Sequence, residues 1–183
     1  KTYPGPIPTL SAEPKNRAKS PVGRARQEKN MPLTKAPQQI VPKNLGDYLE
    51  IMSKAVFQSG MSWKVVESKW PTTREAFHDF QVGAVTSMDE IAVDALADDT
   101  RVIRNRRKLQ AITDNARRMI ELDEEHGTFQ AYLRSHDSFW DLVKDLKKQF
   151  KFLGDMGAYY WLYVVGEDVP THDQFETERP GKK

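Results

Sequence analysis

From residue 45 onward the apolar residues recur at intervals of three and four, the spacing of one face of a helix, rather than at the interval of two that marks a half-buried strand. Phe139, Leu142, Val143, Leu146 and Phe150 occupy relative positions 0, 3, 4, 7 and 11. Leu109, Ile112, Ala116, Met119 and Ile120 behave similarly, as do Ala158, Trp161, Leu162 and Val165. Thr72 with Glu75 and Ser87 with Glu90 each place a hydroxyl three residues before an acid, a pairing that satisfies the free N–H groups of a first helical turn. Ser138 with Asp141 is a weaker case. No stretch combines β-branched alternation with Asn-Gly or Asp-Gly turns, so no hairpin-based sheet is expected. The pattern predicts an all-α domain over about 45–175, with helices near 46–58, 62–69, 73–79, 88–96, 104–124, 128–134, 138–149 and 156–165, and no internal repeat.

The residues before this domain are of another kind. Eight of the eleven prolines fall before residue 45, but only one of the eighteen aromatic residues, Tyr3. Such a segment cannot bury enough surface to offset its ordering entropy, which predicts a disordered or extended arm over 1–44. Residues 176–183 read as a C-terminal tail. Charge divides at the same boundary. Residues 1–44 hold nine Lys and Arg against two Glu, a net of +7, and 45–183 hold nineteen basic against twenty-four acidic residues, a net of −5. The absence of cysteine excludes disulfides and thiolate metal sites. The longest strongly apolar run, Ala158 to Val165, is far short of the roughly twenty residues that span a bilayer. The first residues lack the apolar segment of a secretory signal, so none is expected. These features read as a soluble monomer of the cytosol, or of the nucleus in a eukaryote, with no membrane partner.

Three segments carry candidate chemistry. Phe150-Lys151-Phe152-Leu153-Gly154-Asp155-Met156-Gly157 joins two amphipathic helices through a glycine-bearing turn, preceded by Lys147 and Lys148. A turn of this kind can offer backbone N–H groups to a phosphate at the start of the second helix, or can simply be a capped connection. Arg101, Arg104, Arg106, Arg107 and Lys108 form an acid-free basic run where a long helix begins. Cations there oppose the helix dipole, which leaves polyanion binding or a solvated face as the explanation. Phe57-Gln58-Ser59-Gly60-Met61-Ser62-Trp63 bends at Gly60 and is expected to expose Met61 at its tip. A supple apolar side chain at a loop tip suits a wedge that fills the gap left by an extruded base, with Trp63 beside it to stack, although a tryptophan is more often core.

The order and wording of these segments resemble the 3-methyladenine DNA glycosylase I family, helix-hairpin-helix proteins that excise alkylated adenine. The matching stretches are Gln58 to Trp63, then Val102 to Ile112 with Asn115-Ala116, then Phe150 to Gly154, and the resemblance covers about 45–175. It implies a helix-hairpin-helix glycosylase fold, duplex DNA with damaged bases as partner, Trp63 stacking on the base, and Gln58, Gly60 and Met61 probing the duplex. It also implies Arg104, Arg106, Lys108 and Lys151, with Leu153, Gly154 and Gly157 of the hairpin, along the DNA backbone. A methylated adenine is cationic, and an indole face attracts a cation by about 0.5–2 kcal/mol.

Two departures bear on chemistry. The family's pocket glutamate falls at Ala55, which places Ala55 in the base-binding set without its hydrogen bond. The family's zinc ligands are missing apart from His172, so no metal and no cofactor is expected. Hydrolysis of an N-glycosidic bond is helped by a carboxylate beside the sugar. The candidates are Asp173, near the position of an aspartate in the wider superfamily, and Glu67, one helical turn after Trp63. The implied activity is base excision by a monofunctional glycosylase. Two other readings stay open: a DNA-binding module of the same fold with weakened catalysis, and a helical protein with no role on DNA.

Overall fold

The computed structural model describes residues 36–180. Within them the chain forms α1 (Leu45–Gln58), α2 (Trp63–Ala76), a 3-10 turn (His78–Phe80), α3 (Val82–Thr86), α4 (Glu90–Asp98), α5 (Arg106–His126), α6 (Phe129–Leu133), α7 (Phe139–Gln149), α8 (Asp155–Val164) and α9 (His172–Glu178). The all-α expectation holds among the described residues. The calls on residues 1–35 and 181–183, including most of the basic arm, lie outside them.

Burial follows the three-and-four periodicity. Leu49, Met52 and Val56 of α1, Leu109, Ile112, Ala116 and Met119 of α5, and Ala158, Trp161 and Leu162 of α8 share one core. A fully buried side chain of leucine size contributes about 1.5–3 kcal/mol relative to exposure. Trp161 also donates its indole N–H to the Tyr48 carbonyl at 3.0 Å, which satisfies the one polar atom it takes inside. Helix α8 packs on α1 and α7, and α5 packs on α1, α3, α4 and α6. The helices that flank the glycine loop and the hairpin therefore meet in one core.

Several local expectations are corrected. The helices expected at 62–69 and 73–79 are one, α2, with Pro71 inside it. Proline removes one ladder hydrogen bond and crowds the preceding turn, at a cost of about 3 kcal/mol. Burial of Trp70, Thr73 and Ala76 on both sides of it outweighs that break. Thr72 consequently does not cap a helix, and its hydroxyl donates to the Lys69 and Arg101 carbonyls. Asp89 rather than Ser87 caps α4, accepting from the Ala92 N–H at 2.8 Å. Ser138 caps α7 as expected, accepting from the Asp141 N–H. Helices α3 and α9 were not foreseen, and α9 crosses the expected boundary at 175. The chain leaves α2 through His78, Asp79 and Phe80, all with φ near +54°. That left-handed turn is strained for side-chain-bearing residues, and burial of Phe80 against Trp70 and Phe77 holds it.

The end of the segment expected as an arm is attached to the domain. Ile40 donates its N–H to the Val164 carbonyl at 2.7 Å, and the Gln39 amide donates to the Tyr163 carbonyl at 2.9 Å. Residues 39 and 40 thus bind carbonyls of the last turn of α8, that of Tyr163 being shared with the Gly166 N–H.

Candidate functional site

Trp63 opens α2 half-buried, and its ring meets that of Tyr160 on α8 edge to face, with centroids 5.0 Å apart and planes at 81°. Glu67 follows one turn later on α2 and pairs with Lys54 of α1 at 3.5 Å. A phenol is neutral at physiological pH in any case, and burial first and the Glu67 charge second push that of Tyr160 further above its ordinary value. The meeting of α1, α2 and α8 thus collects two aromatic rings, a neutral hydroxyl and a carboxylate. Such a set can hold a planar cation against π faces and place negative charge beside it. Tyr160 was not foreseen, because it meets Trp63 only through the tertiary placement of α8 and not through any local motif.

Ala55 is buried at 3% exposure and faces Gly157. A Cβ on that glycine would lie 3.7 Å from the Ala55 Cβ and 3.4 Å from Leu153 Cδ1. This pair of small residues lets α1 and α8 approach closely. Ala55 therefore sits in a helix crossing rather than lining an open pocket, and half-buried Gly157 turns its Cα hydrogen toward that crossing.

The loop after α1 also differs from expectation. Its exposed tip is Ser59-Gly60, with Gly60 at φ +85° and open space where a Cβ would lie. Met61 is half-buried and packs on the core, not exposed at the tip. The Gln58 side-chain nitrogen is buried and has no hydrogen-bond partner among the described residues. Lys108, expected on the DNA backbone, lies beneath this loop at 7% exposure. It donates to the Phe57 carbonyl at 3.3 Å and to the Ser59 carbonyl. Burial holds its ammonium below the usual lysine range. A side chain in that position cannot also reach a phosphate.

The rest of the basic run divides sharply once α4 is in place. Arg106 is held by Glu90 at 2.9 Å and by Asp94. Arg101 binds Asp99 side-on, donating from Nε and Nη2 to its carboxylate. The run is acid-free in sequence, but the fold supplies the acids. Among the described residues Arg104 and Arg107 have no carboxylate partner; both are exposed, and Arg107 sits over the Phe152 ring at 5.6 Å.

Phe152 carries the strain of the hairpin, with φ +59° and 40% of its surface exposed. Leu153 is buried, Gly154 caps α8 with nothing near its missing Cβ, and Asp155 begins the helix. Lys147 binds Asp155 at 2.7 Å, and Arg179 reaches it at 3.5 Å. Lys151 points outward and pairs with Asp114 at 2.7 Å. Of the expected backbone-contacting set, Arg104, Arg106, Lys151 and Gly154 are exposed, Arg106 within its ion pairs; Gly157 is half-buried, and Lys108 and Leu153 are buried.

Asp173 is exposed in the first turn of α9. That helix packs through Phe175 against Tyr159, Trp140 and Phe139, so the structure does not join Asp173 to the Trp63 group. His172 lies edge-on to Tyr159 at 6.4 Å. A cleft of about 510 Å³ lies between Leu133, Arg134, Phe139, Glu167 and Pro170; Trp63 does not line it.

Residues 42–151 match the family model described as methyladenine glycosylase. The chain belongs to the methyladenine glycosylase family. DNA-3-methyladenine glycosylase 1 of Escherichia coli is 36% identical over 130 residues, covering 60% of this chain and 70% of that protein. DNA-3-methyladenine glycosylase of Haemophilus influenzae is 26% identical with the same coverage. The solved 3-methyladenine DNA glycosylase I of Staphylococcus aureus shares the fold, with a TM-score of 0.62 and 23% identity over 70% of this chain and 80% of that one. The matched span contains the loop, Trp63, the basic run and the start of the hairpin. Tyr160 and Asp173 lie beyond its end. No helix among the described residues is long and apolar enough to cross a membrane.

Proposed function

We propose that this methyladenine glycosylase family member is a monofunctional base-excision enzyme that hydrolyses the N-glycosidic bond of cationic, alkylated purines in duplex DNA. The observation that carries the reading is the grouping of Trp63, Tyr160 and Glu67 at the start of α2, the helix that the exposed Ser59-Gly60 loop leads into. The names of the similar proteins support the substrate class. The tip of the loop enters the duplex and the extruded base is held against Trp63. Glu67 takes the carboxylate role in preference to Asp173, because it shares a helix face with Trp63.

In this mechanism the bond between C1′ of the sugar and the base nitrogen breaks, and the bonding pair leaves with the base and neutralises its positive charge. Glu67 stabilises the oxocarbenium-like sugar and accepts a proton from the water whose oxygen joins C1′, leaving an abasic site. A cationic leaving group lowers the demand on the enzyme, which accommodates the lack of a carboxylate at position 55. Phosphate contacts by Arg104, Lys151 and the hairpin amides position the duplex without reading its sequence.

Ala55 in the helix crossing favours a second reading, a DNA-binding module that no longer turns over. One experiment separates the two: incubation with methylated duplex DNA and detection of released bases by mass spectrometry. Released 3-methyladenine, lost on W63A substitution, supports the enzyme. Salt-sensitive binding with no base released at any enzyme concentration refutes it and leaves the module.

A further inference from the structure

Three polar side chains of α5 are buried and take no part in the proposed chemistry; Thr113 donates its hydroxyl to the Gln110 carbonyl of its own helix, and the other two reach outside it. Lys108 is 7% exposed and Asn115 is 2% exposed. They are seven residues apart, so they project from one face two turns apart along the axis, about 10.5 Å. Each grips the main chain of a different element. Lys108 donates to the carbonyls of Phe57, in the last turn of α1, and of Ser59, in the loop that follows. Asn115 binds Lys151 of the hairpin in both directions: its amide donates to the Lys151 carbonyl at 3.2 Å, and its side-chain oxygen accepts the Lys151 N–H at 2.8 Å.

Core packing does not explain these residues. A buried ammonium gives up hydration worth several kcal/mol, and an apolar side chain of similar volume fills the same space without that loss. What an apolar side chain cannot do is hold carbonyls and amides of irregular backbone in one place. Both gripped segments need holding. The loop turns through Gly60 in the left-handed region, and the hairpin carries Phe152 there, next to the residue that Asn115 binds. Backbone strain of this sort persists where the surroundings over-determine it.

We propose that α5 acts as a ruler, with Lys108 and Asn115 as positioning residues that fix the spacing between the duplex-probing loop and the backbone-gripping hairpin. A duplex held at the hairpin then meets the loop at a set distance, and the nucleotide between them is the one presented to Trp63. The consequence for excision rests on the glycosylase reading; the structural role does not.

The test compares wild type, K108M, K108R, N115L and the double variant K108M/N115L. Two quantities are measured: the single-turnover rate of base release from methylated duplex at saturating protein, and affinity for an undamaged duplex of the same length. Misplacement of a catalytic element by about 1 Å can cost up to about a hundred-fold in rate. K108M and N115L should therefore lose about ten-fold or more in rate while duplex affinity changes by less than about three-fold. K108R should recover most of the rate, since it keeps donors to the two carbonyls. The double variant should be no slower than the slower single one, because either loss already frees the spacing. Folded K108M and N115L proteins with wild-type rates would overturn the proposal, as would a double variant whose losses multiply. If a variant does not fold, hydrogen exchange on the wild type decides: the Lys151 amide should be protected like a helical amide, and exchange at the rate of an open loop overturns the ruler. Wild type that releases no base defeats the proposed reaction, and the same exchange measurement then judges the ruler alone.

Discussion

The basic run at the start of α5 offers a prediction that composition would get wrong. Its cations look equivalent in sequence, but Arg106 faces Glu90 and Asp94, while Arg104 and Arg107 face no carboxylate among the described residues. Each phosphate neutralised by a protein cation contributes about 0.9 to the slope of log affinity against log salt. Over a change from about 50 to 200 mM salt, one such contact is worth about 3.5-fold in affinity and two about twelve-fold. R104A should flatten the slope by about 0.9 and the R104A/R107A pair by about 1.8. R106A should flatten it by less than half as much as R104A, since its charge is already offset by two acids. Fluorescence anisotropy of a labelled duplex, titrated at four or more salt concentrations, measures all three. A slope loss in R106A equal to that in R104A would refute the assignment, because it would mean that the ion pairs to α4 open freely for DNA.

The remaining predictions address the base, the fold and the acid limit. W63A should lower kcat/KM for release of 3-methyladenine by about 5- to 150-fold, the equivalent of a lost base stack of about 1–3 kcal/mol, and W63F should lose less; unchanged W63A activity would remove Trp63 from the site. G46A should destabilise the protein by about 1–3 kcal/mol despite the better helix propensity of alanine, read as a drop of several degrees in Tm. The reason is that a Cβ there would lie 2.5 Å from the Phe80 carbonyl oxygen. Burial raises the Asp114 pKa, but hydrogen bonds from Lys151 and Gln110 outweigh it and hold the carboxyl below its ordinary 3.8. The group therefore contributes stability that is complete above pH 3.8 and is lost as pH falls through the folded value. D114N should flatten that limb of an acid titration followed by circular dichroism, and an unchanged limb would exclude the Lys151–Asp114 pair as a source of acid sensitivity.

Helical class, the approximate extent of most helices and the positions of the loop and hairpin were legible in the chain. Each depends on residues close together in sequence: periodic Leu142, Val143 and Leu146, the Ser138 cap, the glycines at 60 and 154. The break expected between 69 and 73, where Pro71 lies, fails for the opposite reason. The local penalty of the proline is real, and only the burial of Trp70 and Ala76 against distant residues overrides it. Met61 and Ala55 were placed by analogy with loops and pockets, whereas their contacts with the core and with Gly157 depend on how α1 meets its neighbours.

The sequence by itself determined which residue types are available near the site: an aromatic at 63, a carboxylate at 67, a run of cations at 101–108, no cysteine. Tertiary structure alone decided what each could do. Charge is additive along a chain, but its effect depends on partners brought in from elsewhere. The same run therefore yields a salt-bridged Arg106, a buried Lys108 that braces a loop, and an Arg104 left open to solvent. Aromatic stacking likewise needs a second surface, and Trp63 acquires Tyr160 only because α8 crosses behind it. Helix formation is decided within a few residues, while electrostatic and packing roles are decided by neighbours tens of residues away, and the function of this protein is built from the second kind of contact.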